Sequence, residues 1–281
     1  MSTQPYTIEQ LRSMSEDEYR KFDAANYSTL KHAARSAAHM YHALTSKIEQ
    51  TPAMKLGSLV DRMTFDPVWQ EHYAVAPDVD RRTTAGKEKW QEFQASVGNR
   101  TIVTLDDIYQ ATAMVLSIDK HPIASQLRKC DYLQHPMIWV DPVTNVVCKG
   151  LPDAIKAGNA LIDLKTTQVA DMREFARTCA NFGYYMQAAF YIDGWKALTG
   201  EELPFIFIVV ESSAPHCVAT YRLDDAAIEA GRSRYRSALR LYQSARESKQ
   251  WAGYPEHLQL LELPSWIVKS SSDDVVVDDP F

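Results

Sequence analysis

The chain has 281 residues, 46% of them apolar and 23% charged, with a formal net charge of −6. These ordinary globular values exclude a disordered chain, a fibrous repeat and a disulfide-stapled mini-protein, and they fit one large domain or two modest ones. No apolar run approaches the roughly 18 residues of a membrane span, the longest being Phe205–Val210. The N-terminal MSTQPYTIEQL is polar and lacks a signal-peptide core, so a cytoplasmic location is expected. Cys130, Cys148, Cys179 and Cys217 are widely spaced with no CxxC, which reads as reduced, mostly buried thiols rather than a zinc or iron–sulfur site. Setting aside Asp273, Asp274, Asp278 and Asp279 near the C-terminus leaves 32 acidic residues against 30 basic ones. A nearly neutral body carries no global signature of nucleic-acid binding, yet a local cleft can still be basic.

The first part of the chain reads as helical. Ser15–Phe22 opens with a capping-box pair, Ser15 and Glu18. Ser28–Leu44 carries Leu30, Ala33, Ala34, Ala37, Met40, Tyr41 and Leu44 at helical spacing, which predicts one helix. A further helix is expected from about Ala53 to Phe65, stopping before Pro67. Pro77–Lys89 is irregular and partly basic, with Arg81, Arg82, Lys87 and Lys89. A solvated loop and a phosphate-contacting, DNA-binding loop are both open readings of that run. Helices resume over Gly86–Ser96 and Leu105–Lys120. After Cys130, Pro136–Val140 is strand-like and Asp141–Asn145 is a turn. Val146–Ile155 and Ala160–Lys165 follow as strands joined at Gly158-Asn159. One helix over Met172–Thr199 ending at Gly200, strands at Phe205–Val210 and Cys217–Leu223, and an amphipathic helix over Asp225–Lys249 complete the order. The expected architecture is α+β with an α-rich N-terminal portion: residues 1–268 as one domain (1–130 α-rich, 131–254 holding the sheet) and 269–281 as a disordered acidic tail.

Chemistry concentrates in Lys149–Thr167, KGLPDAIKAGNALIDLKTT. Asp153 ends a Gly-Leu-Pro lead-in, and Asp163 and Lys165 flank Leu164 on the next strand. Alternation along a strand puts Asp163 and Lys165 on one face and Leu164 on the other. Pairing through Gly158-Asn159 brings Asp153 near Asp163, so two carboxylates and a lysine converge at one sheet edge. Hard carboxylate oxygens suit Mg²⁺, which is commonly held by one or two carboxylates plus waters and substrate phosphate. Such an ion polarises a phosphodiester and activates water, and a nearby ammonium offsets charge in the transition state. Asp163→Asn or Lys165→Ala is expected to abolish that chemistry with the fold intact, because both side chains should face a solvent-accessible metal site. The eight histidines form no HExxH pattern, and no Walker-type loop or nucleophile elbow is present.

Pro152-Asp153 followed by Asp163-Leu164-Lys165 resembles the signature of the PD-(D/E)xK nucleases, whose core is a mixed central sheet flanked by helices. The chain is similar in particular to the exonuclease VIII (RecE-type) branch of phages and prophages. That likeness runs through NYSTLKHAARSAAHMYHAL (26–44), LGSLVDRMTFDP (56–67), Tyr73–Trp90, Cys148–Thr167, YYMQAAFY (184–191) and Trp251–Tyr254. The resemblance implies that Asp153, Asp163 and the Leu164 carbonyl bind a divalent metal, Mg²⁺ or Mn²⁺ in its place, and that Lys165 is the catalytic lysine. It also implies that Gln187 and Tyr191, four apart on a helix, look onto the site. The family usually has histidine or glutamate where this chain has Asp61, which is still a competent hard-metal ligand. The implied activity is 5′-to-3′ digestion of linear double-stranded DNA by a homo-oligomeric ring, leaving 3′ single strands for an annealing protein. A restriction-like endonuclease and a non-catalytic DNA-end adaptor are the alternatives.

The C-terminal SSSDDVVVDDPF ends in Asp278, Asp279, Pro280 and Phe281 and resembles the acidic tip of bacterial single-strand-binding proteins. Docking on a recombination partner, self-inhibition and simple solubilisation are three readings of it.

Overall fold

Capping residues fix where the N-terminal helices begin. The computed structural model describes residues 6–46 and 49–263. Helix α1 (Ile8–Arg12) starts at Thr7 and α2 (Glu16–Lys21) at Ser15, each through a complete capping box, the second being the Ser15–Glu18 pair expected. A two-residue strand β1 (Ala25–Asn26) leads into α3 (Tyr27–Leu30). The single helix expected over 28–44 is broken here. A 3₁₀ turn spans Lys31–Ala34, and α4 (Ala37–Thr45) starts afresh at Ser36, whose extended backbone and hydroxyl cap the His39 amide. A serine that can satisfy an orphan amide competes with continued helix, and the apolar period alone does not reveal it.

Helix α5 (Pro52–Phe65) is capped by Thr51 with Pro52 in its first turn, and it stops before Pro67 as expected. Next, β2 (Tyr73–Val75), α6 (Thr84–Val97) and β3 (Thr101–Val103) form a parallel strand–helix–strand unit. Those two strands are too short to show a period and were not expected. Helices α7 (Leu105–Lys120) and α8 (Ala124–Leu127) precede four strands: β4 (Tyr132–Leu133), β5 (Met137–Val140), β6 (Val147–Gly150) and β7 (Ala154–Lys156). The strand expected over 146–155 is thus two strands in two sheets. Pro152 has no N–H for a ladder, and the chain changes sheet across Leu151-Pro152-Asp153.

Strand β8 (Ala160–Thr167) is followed by α9 (Met172–Phe182) and α10 (Tyr184–Thr199), again two helices where one was expected. Gly183 separates them in the left-handed region at φ 74°, which costs glycine nothing. Strands β9 (Phe205–Glu211) and β10 (Val218–Arg222) and helix α11 (Asp225–Ser248) close the described fold.

The central sheet runs β10-β9-β8-β7-β4, with β8 and β9 parallel and the other neighbours antiparallel; β1-β6-β5 and β2-β3 form smaller sheets. This mixed α+β arrangement agrees with the expected fold class. Alternation along β8 and β9 splits the core in two. Leu161, Phe205, Phe207 and Val209 pack with α10 and α11 on one face, while Ile162, Leu164, Ile208 and Val210 pack with α5 and α7 on the other. Among the described residues no helix is long and apolar enough to cross a membrane. Cys148 and Cys179 are buried, Cys130 is half-buried and Cys217 is exposed, all as free thiols. The tail residues Asp278, Asp279, Pro280 and Phe281 lie outside the described residues.

Candidate active site

The β7–β8 hairpin sets the register of the acidic residues. Ala154 pairs with Ile162, so Asp153, one step earlier, stands across from Asp163. Asp153 lies beyond the end of β7, and its Oδ2 accepts the Leu164 N–H at 2.8 Å. A strand residue directs its N–H and C=O to the same side, so the Leu164 carbonyl shares that edge with the Asp153 carboxylate.

Helix α5 delivers the third acid. A Cβ on Gly57 would stand 3.2 Å from the Thr166 hydroxyl, so the glycine lets α5 lie close against β8. Asp61 is four residues on and shares the Gly57 face of the helix. Its Oδ2 accepts from Gln134 Nε2 at 3.2 Å, while its buried Oδ1 has no partner among the described residues. Gln134 also donates its backbone N–H to the Asp153 carbonyl at 3.0 Å, from a backbone held at φ 40°. It therefore ties Asp61 and Asp153 together, a role with no sequence signal because positive φ at glutamine has none. Asp61, Ser58, Arg62, Arg100 and Gln134 line part of a cleft of about 440 Å³.

Helix α10 closes the site from the other layer. Gln187 donates to Asp163 Oδ1 at 2.8 Å, and Lys165 forms an ion pair with Asp163 Oδ2. Tyr191 packs under Gly150, where a Cβ would come 2.8 Å from its ring. Asp163 is 1% exposed and Gln187 7%, so neither is an ordinary surface residue. The expectation that both Asp163 and Lys165 face open solvent is corrected for Asp163, which is buried between β8 and α10, while its partner Lys165 is half-buried. Strand alternation tells which residues share a face, but not what covers that face.

The electrostatics record how close these groups are. Burial, then the Asp163 charge, pushes the Asp61 carboxyl up to about 6. Burial, then Asp61 and Asp163, pushes Asp153 well above the usual carboxylate range. Burial opposes the Lys165 ammonium, but the combined pull of Asp163 and Asp153 outweighs it and raises its pKa. Three carboxylates thus crowd one ammonium in a poorly solvated place. Among the described residues no three His, Cys, Asp or Glu side chains are arranged to hold a metal ion together, and the Asp163 oxygens meet Gln187 and Lys165. The donor chemistry nevertheless fits a hard divalent cation: Asp61 offers an unpartnered buried oxygen, and one or two carboxylates suffice when water and phosphate complete the shell.

Residues absent from the sequence expectations surround the lysine. Lys165 Nζ sits 4.7 Å from the Tyr184 ring centroid, and Lys31 Nζ sits 5.9 Å from that of Tyr27. Partial desolvation, then the Lys165 charge, lowers the Lys31 pKa, so the two ammoniums share a neighbourhood. Lys149, at the start of the motif segment, serves the framework instead. Its Nζ donates to the carbonyls of Tyr19, Arg20 and Phe22 and fastens the end of α2.

The basic run has partners of its own. Arg82 forks onto Asp80 at 2.9 and 3.0 Å, Arg81 lies 4.6 Å from the Trp90 ring centroid, and Lys87 is exposed on α6. Among the described residues none of the three bonds to Asp61, Asp153, Asp163 or Lys165.

Comparison with known proteins places this geometry. A crystal structure from Eubacterium rectale, described as a "Putative exonuclease", aligns with TM-score 0.60 at 15% identity, covering 92% of this chain and 98% of that one. At that identity the likeness shows a shared fold. The structure of SSO0001 aligns at TM-score 0.29 and 18% identity over 70% of this chain and 89% of that one, too low to carry an argument. No curated protein matches the sequence. The model of a family described as "PDDEXK-like domain of unknown function (DUF3799)" matches residues 26–264. The chain belongs to that family, and its domain is of the PD-(D/E)xK nuclease type.

Proposed function

We propose that the protein is a metal-dependent deoxyribonuclease that digests linear double-stranded DNA from its ends. The observation that carries this reading is the convergence of Asp61, Asp153 and Asp163 on Lys165, from three separate segments, with Asp61 and Asp153 pushed toward the protonated form first by burial and then by their acidic neighbours. Asp61, Asp153, Asp163 and the Leu164 carbonyl would hold a divalent cation, with Mg²⁺ first and Mn²⁺ as a substitute. When bound, that ion would polarise the phosphodiester and supply an activated water. Lys165 would offset charge on the transferring phosphate, Gln187 would keep Asp163 oriented, and Tyr191 would support the turn carrying Asp153. The 5′-to-3′ polarity, the 3′ single-stranded product, the annealing partner and the ring assembly rest on the RecE-type sequence likeness.

The test compares linear with closed circular duplex, with and without Mg²⁺. Loss of linear DNA alone, and only with metal, is expected. Cutting of closed circles would move the reading to an endonuclease. Binding to ends without metal-dependent digestion would make the protein an adaptor.

A further inference from the structure

Phe182 is an exposed aromatic ring held in a fixed place beside the lysine. It ends α9 and is 60% exposed, yet its ring stacks on Tyr184 with centroids 5.7 Å apart and planes at 18°. Tyr184 is the ring that Lys165 Nζ approaches at 4.7 Å. The left-handed turn at Gly183 folds the two aromatics onto each other. The buried Tyr27 hydroxyl donates to the Phe182 carbonyl at 2.7 Å and pins the end of the helix. Tyr27 in turn lies under Lys31, which pairs with no carboxylate among the described residues.

We propose that Phe182 is a stacking platform for a nucleobase of the DNA strand whose phosphate lies at Lys165, with Lys31 holding a neighbouring phosphate. This rests on the nuclease reading above and names the contact that would seat the strand. One ammonium against the inner ring of a stacked aromatic pair, and a second over the tyrosine that pins that pair, match a nucleotide, which offers a flat ring joined to anions. Every base has a π-face, so the contact is sequence-tolerant, as digestion of arbitrary ends requires. A protein partner fits less well. The residues beside Phe182, Ala180 and Asn181, are small or polar, and the next large exposed apolar residue on α9, Met172, lies at the far end of the helix.

The test uses the full chain carrying Phe182→Ala, Phe182→Leu or Phe182→Tyr, each combined with Asp163→Asn so that the bound strand survives. The probe is a short linear duplex with 2-aminopurine at each terminal position in turn. The Asp163→Asn parent and the Phe182→Tyr variant should quench one of these probes. Phe182→Ala and Phe182→Leu should not quench it, and Phe182→Ala should bind about 5- to 150-fold more weakly, the factor that base–aromatic stacking represents. Leucine keeps the apolar bulk without the π-face, so quenching by Phe182→Leu would overturn the platform. So would unchanged affinity in Phe182→Ala, or a change confined to its oligomeric mass, which would make the ring a subunit contact. If the wild-type chain digests linear duplex in these latter cases, the nuclease reading stands without the platform. A wild-type chain that neither binds nor digests DNA overturns both.

Discussion

Replacing Asp61 with asparagine should stabilise the metal-free protein, against the usual trend of core substitutions. Asparagine keeps the shape of the side chain and can still accept from Gln134 Nε2, which bonds Asp61 at 3.2 Å. What it removes is one of three crowded charges. The folded carboxyl titrates at about 6, pushed there first by burial and then by Asp163, whereas an unfolded aspartate titrates near ~3.9. The folded state therefore holds its proton more tightly than the unfolded one. Stability from this group is fully present below the unfolded value and is lost as pH rises through the folded value. A gap of roughly 2 pH units at about 1.36 kcal/mol each gives a cost near ~3 kcal/mol at neutral pH and above, roughly half that at pH ~5, and little at pH ~4. Urea unfolding in EDTA at pH ~8 should show Asp61→Asn more stable than wild type by about 2–3 kcal/mol, with the gap shrinking toward pH ~5. Added Mg²⁺ should raise wild-type stability and leave the variant nearly unmoved, because only a folded site with its carboxylates binds the ion. Equal or lower stability of Asp61→Asn at pH ~8 in EDTA would show that Asp61 is held by attraction, and the reasoning about a charge-frustrated site would fall.

Lys165→Ala should lose digestion and also fold stability by about 3–5 kcal/mol, because it leaves the buried Asp163 charge without its cationic partner; a retained rate or an unchanged urea midpoint would count against that pairing. Gln187→Glu places a second carboxyl against Asp163 Oδ1, where the amide now donates at 2.8 Å. It should destabilise the metal-free protein by about 2 kcal/mol or more, with the loss growing between pH ~5 and pH ~8, as pH-dependent unfolding would show. Gly57→Val should push α5 off β8, since even a Cβ there meets the Thr166 hydroxyl at 3.2 Å. Overpacking of that kind costs about 1–3 kcal/mol, and by moving Asp61 it should cut the digestion rate by more than that loss of folded protein explains.

The acids were legible because a hairpin is a local object. Gly158-Asn159 joins two apolar runs, so counting back from the turn puts Asp153 opposite Asp163 without knowledge of the rest of the fold. The Ser15–Glu18 box and the stop before Pro67 were legible for the same reason. The breaks at Ser36, at Pro152 and at Gly183 were not, because the hydrophobic pattern continues across each of them. Their causes are long-range or conformational: Tyr27 bonds to the carbonyl of Phe182, far along the chain, and the strand carrying Cys148 pairs with Ala25 in another sheet. Gln134 was invisible because its use depends on a backbone twist at φ 40°. Burial of Asp163 was missed because alternation says which residues share a face but not that α10 lies over it.

The site's rigidity and its charge are two sides of one arrangement. Asp153 hangs from the end of a strand, Asp163 from the strand beside it, and Asp61 from a helix seated on that strand through Gly57. Core packing on both faces of β8 enforces these positions, and the donors on Leu164, Gln134 and Gln187 orient the carboxylates within them. Left free, like charges would turn apart, so only a framework that packs well elsewhere can hold them together. Lys165 is one ammonium among three carboxylates, and Asp61 and Asp153 have raised pKa values, first from burial and then from their acidic neighbours. A bound divalent cation would relieve that repulsion in the folded state only, so its binding free energy adds to stability. The same surplus works against a bare phosphate approaching from solvent, which makes cations at the rim, Lys31 beside Tyr27 among them, part of how a DNA strand could reach the acids at all.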